Sequence, residues 1–194
     1  MNTDVIDQST NSPRQRGKPS AAKSWLKAIE LTSRIEADPS RLFTDVVDDW
    51  AQREQDRPAL ISENETFSYR ALAERINRYA RWALSTGIQV GDTVCLLMPS
   101  RPDYIAAWLG ISKVGGVVAL INTKLVGPSL SHCINVADSG HIILANELSD
   151  AFETALPHLN RAPKVWIHGG PARQTGIDAA LHAMDGSSLS VTER

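Results

Sequence analysis

The sequence lacks an excess of either charge: 20 Lys and Arg stand against 22 Asp and Glu, a formal net charge of -2. A balanced chain carries no overall field to draw in nucleic acid or a strongly charged membrane surface, so no nucleic-acid partner is expected. Cysteine is scarce. Cys95 and Cys133 each sit inside an apolar stretch and read as small buried hydrophobes of a reduced protein. One disulfide would be available to them, but nothing in the spacing favours it. No Cys-x-x-Cys occurs, and His132, His141, His158, His168 and His182 have no partner at ligand spacing, so no metal site is expected. No run approaches the ~18 consecutive apolar residues of a spanning helix. The opening MNTDVIDQSTNSPRQRGKPS is polar and lacks the apolar core of a secretory signal. Residues 1–20 are expected to form a disordered tail, and the expected location is the cytoplasm, with peripheral membrane contact left open.

Phosphate and nucleophile motifs are missing too. The sequence has no Gly-x-Gly-x-x-Gly after a strand, no P-loop and no Gly-x-Ser-x-Gly. His168-Gly169-Gly170-Pro171 superficially resembles an oxyanion loop, but without a nucleophile elbow it reads as a turn. The loops after the expected strands, Pro99-Ser100-Arg101, Asn122-Thr123-Lys124 and Ala145-Asn146, contain no phosphate cradle, and Asn122 with Lys124 is a commonplace pairing.

What is present is the profile of a globular domain, 42% hydrophobic with 12 Gly and 10 Pro in 194 residues. Five Trp are expected to anchor its core. From Trp25 to Ile35 the apolar residues Trp25, Ala28, Ile29 and Ile35 recur at helical spacing. Such a stripe suits packing on a neighbouring domain or a membrane surface, and packing is the expectation because the polar face is not strongly basic. A second amphipathic helix carries Leu42, Phe43, Val46, Val47 and Trp50, with Asp45, Asp48 and Asp49 on an expected solvated face.

Ala59–Ser62 and Thr66–Ser68 make a small hairpin, and Ser68 is placed to cap a helix that buries Leu72, Ile76, Tyr79 and Ala83. Arg70, Glu74, Arg75, Arg78 and Arg81 are expected to face water, and Gly87 to end the helix. The continuous apolar runs 93–98, 117–121 and 141–144, with 165–167, predict buried parallel strands. Helices opening at Ser100, Gly127-Pro128 and Asn146 separate them, the first with Ser100 as cap and Asp103 three residues on. The fold expected is α/β, a doubly wound, mostly parallel sheet flanked by helices over residues 21–168. Residues 169–194 are expected to be an irregular tail, with at most a turn or two of helix at Ala179, Leu181 and Met184.

These elements carry a resemblance. Thr66-Phe67-Ser68-Tyr69-Arg70-Ala71-Leu72 resembles the Phe-Thr-Tyr-x-Glu-Leu segment near the start of adenylate-forming (AMP-binding) enzymes. Gly87-Ile88-Gln89-Val90-Gly91-Asp92-Thr93-Val94 is similar to their Gly-Val-x-x-Gly-Asp-x-Val turn. The stretch LLMPSRPDYIAAWLGISKVGGVVALINTKLVGPSLSHCI, Leu96 to Ile134, resembles the very-long-chain acyl-CoA synthetase and fatty acid transport protein branch. The Asn122-Thr123 pair and Ser129-Leu130-Ser131-His132-Cys133 suggest that branch over acetate- or luciferase-like relatives.

The resemblance implies a ligase that joins a fatty acid to ATP as acyl-adenylate and then passes the acyl group to coenzyme A, with magnesium on the phosphates. It also implies that this chain is an N-terminal piece. Gly186-Ser187-Ser188-Leu189-Ser190 resembles the stretch just before the family's phosphate loop. No catalytic, cofactor-binding or metal-binding residue is therefore assigned to any position here. The partners implied are the remainder of the synthetase or further copies of this chain, meeting at an exposed apolar face, and a fatty acid substrate in the intact enzyme. Two alternatives stand beside this reading, a folded non-catalytic remnant or interaction module, and a stand-alone module binding a nucleotide or an acyl chain.

Overall fold

The computed structural model describes residues 20–37, 42–170 and 176–193. The expected disordered tail falls, but for Ser20, outside these. The chain divides into Met1–Arg41 and Leu42–Arg194. The first unit contributes helix α1, Ala21–Ala37, which contains the predicted Trp25–Ile35 helix. Ser20 caps it, its Oγ accepting from the Lys23 amide at 3.3 Å.

The second unit begins with α2, Phe43–Arg53. Thr44 and Val47 supply its buried face, whereas Phe43 is exposed and Trp50 half-exposed, stacking on Tyr69 at 5.6 Å. The expected solvated acidic face is corrected here. Asp45 accepts from the Leu42 amide at 2.8 Å, closing the helix start, and Asp48 pairs with a buried lysine. Strands β1, Pro58–Ile61, and β2, Thr66–Ser68, form the predicted antiparallel hairpin. Ser68 caps α3, Tyr69–Ser85, accepting from the Ala71 amide at 3.2 Å.

Four further strands follow, β3 (Thr93–Leu97), β4 (Val117–Leu120), β5 (His141–Ala145) and β6 (Lys164–His168). They pair in parallel in the order β4-β3-β5-β6. Helices α4 (Pro102–Lys113), α5 (Gly127–Ala137) and α6 (Ser149–Ala155) connect them. The period of two along each strand sends alternate residues to opposite faces. Val94, Leu96 and Ile143 join the core under α3 and α4, while Cys95, Leu97 and Ile142 join the core under α5 and α6. That division is what a doubly wound sheet requires, and it explains why β3 and β5 read as unbroken apolar runs.

Strand β4 differs from its expectation as a buried strand. It lies at the sheet edge, and Val117 and Leu120 are 51% and 44% exposed. Its apolar sequence comes from the side shared with β3 rather than from cover on every side. Trp108 of α4, one of the five Trp expected to anchor the core, is also 40% exposed.

Helices α3 and α4 approach closely at Gly110, where a Cβ would lie 2.5 Å from both the Ile76 carbonyl and Tyr79 Cβ. The chain reverses into β4 at Gly115, whose φ of +84° suits glycine.

Residues 176–190 pack as part of the unit. Helix α7, Ile177–Ala183, buries Ile177 and Leu181 completely, and Leu189 is 3% exposed. Asn77 Nδ2 donates to the Gly186 carbonyl at 3.0 Å, and Arg81 Nη1 to the carbonyls of Asp185 and Ser187 at 2.9 and 2.6 Å. Arg81, expected to face water, instead fastens this segment to α3. Three well-spaced apolar residues and a set of carbonyls fixed by α3 do what a periodic stripe does elsewhere.

Candidate functional site at the strand carboxyl ends

In a doubly wound sheet the chain leaves one strand to either side, and ligands collect outside the carboxyl ends where the direction switches. Here that point lies between β3 and β5. The β3–α4 loop Pro99-Ser100-Arg101 meets the residues after β5 there, and Arg101 forms an ion pair with Glu147 across the switch point. A cleft of about 620 Å³ opens between this loop and the hairpin turn, lined by Ile61–Glu65 and Pro99–Arg101.

The sequence-predicted loop residues do not assemble around a common point. Asn122 Oδ1 accepts from the Lys124 amide at 2.9 Å, so that pair closes a local turn. Ser100 is not the cap of α4; Arg101 occupies that position without a side-chain cap, and Pro102 opens the helix. The expected partner acid, Asp103, turns into the core instead.

Asp103 is the centre of the main buried polar cluster. The Tyr79 hydroxyl lies 3.3 Å and Arg75 Nε 3.2 Å from its Oδ1, and His168 Nε2 lies 3.4 Å from its Oδ2. His168 Nε2 also lies 3.5 Å from Asp178 Oδ1, while Asp178 Oδ2 accepts from the Gly169 amide at 2.7 Å. Burial pushes the Asp103 carboxyl up, but the hydrogen bond from His168 and the charge of Arg75 outweigh it and hold the group below its usual 3.8. Burial, reinforced by Asp103, drives the Tyr79 phenol well above its ordinary value of 10.0. The cluster ties α3, α4, β6 and α7 together at the carboxyl edge. Arg75, expected in water, belongs to it, as does His168, expected in a simple turn.

A second cluster surrounds Lys113. This side chain is fully buried, and its Nζ donates to Asp48 Oδ2 at 2.7 Å and Asn77 Oδ1 at 2.8 Å. Asp48 also accepts from Ser188 Oγ at 3.2 Å, and Asn77 holds Gly186. An open groove of about 260 Å³ lies beside it, between α2, α3 and the 186–188 segment. The sequence offered no signal for this cluster except a lysine closing an otherwise apolar helix.

The Lys113 cluster is internally satisfied, whereas in the Asp103 cluster the buried His168 Nδ1 has no hydrogen-bond partner among the described residues. Both clusters fasten elements; neither aims a free acid, base or nucleophile at a cleft. Cys95 fits this picture, since burial pushes its thiol up to about 11. Arg101 is committed to Glu147, the Asn122 loop is closed on itself, and no group of three His, Cys, Asp or Glu converges among the described residues.

The family model described as AMP-binding enzyme matches residues 47–185. Long-chain fatty acid transport protein 6 of Mus musculus is 36% identical over 116 residues, 59% of this chain and 19% of that protein. Long-chain fatty acid transport protein 2 of Rattus norvegicus is 30% identical over 164 residues, 83% of this chain and 26% of that protein. The chain thus spans about a fifth to a quarter of the curated relatives it matches. Among solved structures, the anthranilate CoA ligase AuaEII superposes with a TM-score of 0.68 at 17% identity, over 76% of this chain and 28% of that one. The N-terminal domain of FACL13 from Mycobacterium tuberculosis gives 0.66 at 22% identity, over 76% and 37%. The structural likeness establishes the fold, and the family match over most of the compact unit establishes descent: this chain belongs to the AMP-binding enzyme family.

Proposed function

We propose that this chain is the amino-terminal part of a long-chain fatty acid–CoA ligase, supplying a scaffold rather than catalytic groups. The observation that carries the reading is the coincidence of the family match, residues 47–185, with a compact unit whose buried polar clusters are spent on its own elements. The relatives named for fatty acid transport favour a long acyl substrate over a small aromatic acid. In this reading ATP, magnesium and coenzyme A bind elsewhere in the ligase. The partner is the remainder of the ligase, and the exposed β4 edge at Val117 and Leu120 is the apolar surface offered to it or to a second copy. The proposed location is cytoplasmic; among the described residues no helix is long and apolar enough to cross a membrane.

The test is reconstitution. The 194-residue chain is mixed with a polypeptide supplying the rest of a fatty acid–CoA ligase, and oleoyl-CoA formation from oleate, ATP and coenzyme A is measured. The reading predicts product only when both are present. Product from the 194-residue chain alone, or none from the mixture, contradicts it.

A further inference from the structure

Helix α3 carries four arginines, and three of them meet an acid: Arg70 with Asp56, Arg75 with Asp103 and Arg81 with Asp185. Arg78 is the exception. Among the described residues it has no ion pair, and its Nε lies out of solvent without a hydrogen-bond partner. Gly186 covers that nitrogen, since a Cβ there would lie 3.2 Å from it. The neighbouring acid, Asp185, is taken by the Ser187 amide at 2.9 Å and by Arg81. A partly buried guanidinium in this state calls for an acceptor that the described residues do not supply.

The surroundings of Arg78 give that acceptor a place. A pocket of about 170 Å³ opens between β2 and α3, lined by Phe67, Ala71, Glu74, Arg75 and Arg78. Arg75 and Arg78, three residues apart, share one side of the helix. Arg75 meets Asp103 through Nε at 3.2 Å, so its two terminal NH2 groups are open to a second acceptor. The Phe67 ring, 5.9 Å from the guanidinium carbon, supports the plane of that fork. A carboxylate, with two oxygens in one plane, fills a single fork, whereas a tetrahedral oxyanion offers oxygens to both. The pocket is smaller than the about 300–1,000 Å³ of sites that enclose a whole organic ligand, so it suits a head group.

We infer that Arg75 and Arg78, with Phe67 as a wall, bind a tetrahedral oxyanion: a phosphoryl group, free or at the end of a small organic molecule. Glu74, exposed at the rim, opposes the anion. The inference rests on α3 and β2 and does not depend on the ligase reading.

The test uses the full 194-residue chain labelled with nitrogen-15, with its arginine Nε–H signals followed by NMR as sodium phosphate replaces sodium chloride at constant ionic strength. Arg78→Lys identifies the Arg78 signal by its loss. In the parent that signal moves saturably with inorganic phosphate. Glycerol 3-phosphate, titrated separately, distinguishes the sources: the tighter of the two binders shows whether the site takes a free anion or a monoester. Arg78→Gln weakens phosphate binding at least about tenfold, and Glu74→Gln strengthens it about twofold. Because Arg78 makes no hydrogen bond through Nε, Arg78→Gln keeps the parental melting temperature in chloride, which separates loss of binding from loss of fold. An Arg78 signal unmoved by both phosphates, one moved equally by sodium chloride of the same ionic strength, or parental phosphate binding by Arg78→Gln overturns the inference. None of these outcomes bears on oleoyl-CoA formation.

Discussion

Lys113 Nζ sits 2.7 Å from Asp48 Oδ2 with the lysine side chain wholly out of solvent, joining the end of α4 to the middle of α2. A buried cation depends on its counter-charge, and removing only one partner leaves the other stranded. Asp48→Ala is therefore expected to cost about 3–5 kcal/mol, because Lys113 keeps only Asn77. Lys113→Met costs far less, since Asp48 retains 14% side-chain exposure and can be solvated. Urea denaturation of the two variants checks this; equal losses contradict it.

Asp103 offers a parallel case with a pH signature. Asp103→Ala removes the acceptor shared by Tyr79, Arg75 and His168, and is expected to destabilise by about 3 kcal/mol. Tyr79→Phe removes a single 3.3 Å hydrogen bond and costs about 1 kcal/mol. Because the folded carboxyl is held below 3.8, its contribution is present above that pH and is lost as pH falls through the lowered value. The difference in stability between parent and Asp103→Asn is expected to shrink in that acid range, as followed by circular dichroism melts.

Gly110 tests the helix packing. A Cβ there meets the Ile76 carbonyl and Tyr79 Cβ at 2.5 Å, and backbone cannot yield as a flexible side chain can. Gly110→Ala is expected to lose about 2–3 kcal/mol despite alanine's better helix propensity. A melting temperature at or above the parent's would show that α3 and α4 are not this close.

His141 gives a second pH dependence nearer neutrality. Its Nδ1 accepts from Trp166 Nε1 at 3.2 Å, which requires the neutral ring at that nitrogen. Burial, then the charge of Lys164, lowers its pKa below 6.5, against a smaller opposing effect of Asp92. A lowered base is protonated first in the unfolded chain, so stability is full above 6.5 and declines as pH falls toward the folded value. Melts between about pH 7.5 and about pH 5.5 are expected to show this decline, and His141→Gln to flatten it.

Local rules made much of the fold legible. Ser68 as a cap, Gly87 and Gly115 as stops, Pro128 at a helix start and the apolar runs of β3 and β5 are each decided within a few residues. The polar clusters were not legible, because their members lie far apart in the chain. Asp103 and His168 are 65 positions apart, as are Asp48 and Lys113, and each reads locally as something simpler: a helix-start acid, a turn residue, a solvated carboxylate, a terminal lysine. Helix α7 was half hidden for the same reason, since Ile177, Leu181 and Leu189 matter through what α3 and β6 present to them. The edge position of β4 depends on strand order, which hydrophobicity does not encode.

In the proposed reading, this chain works as one portion of a larger ligase. The most direct measurement is the mass of the native polypeptide in its source cells, by immunoblot with an antibody raised against residues 42–170. Since 164 aligned residues make up 26% of a relative, a chain of that relative's length is about three times this one, and a band about three times 21.2 kDa is expected. A single band at 21.2 kDa would contradict it.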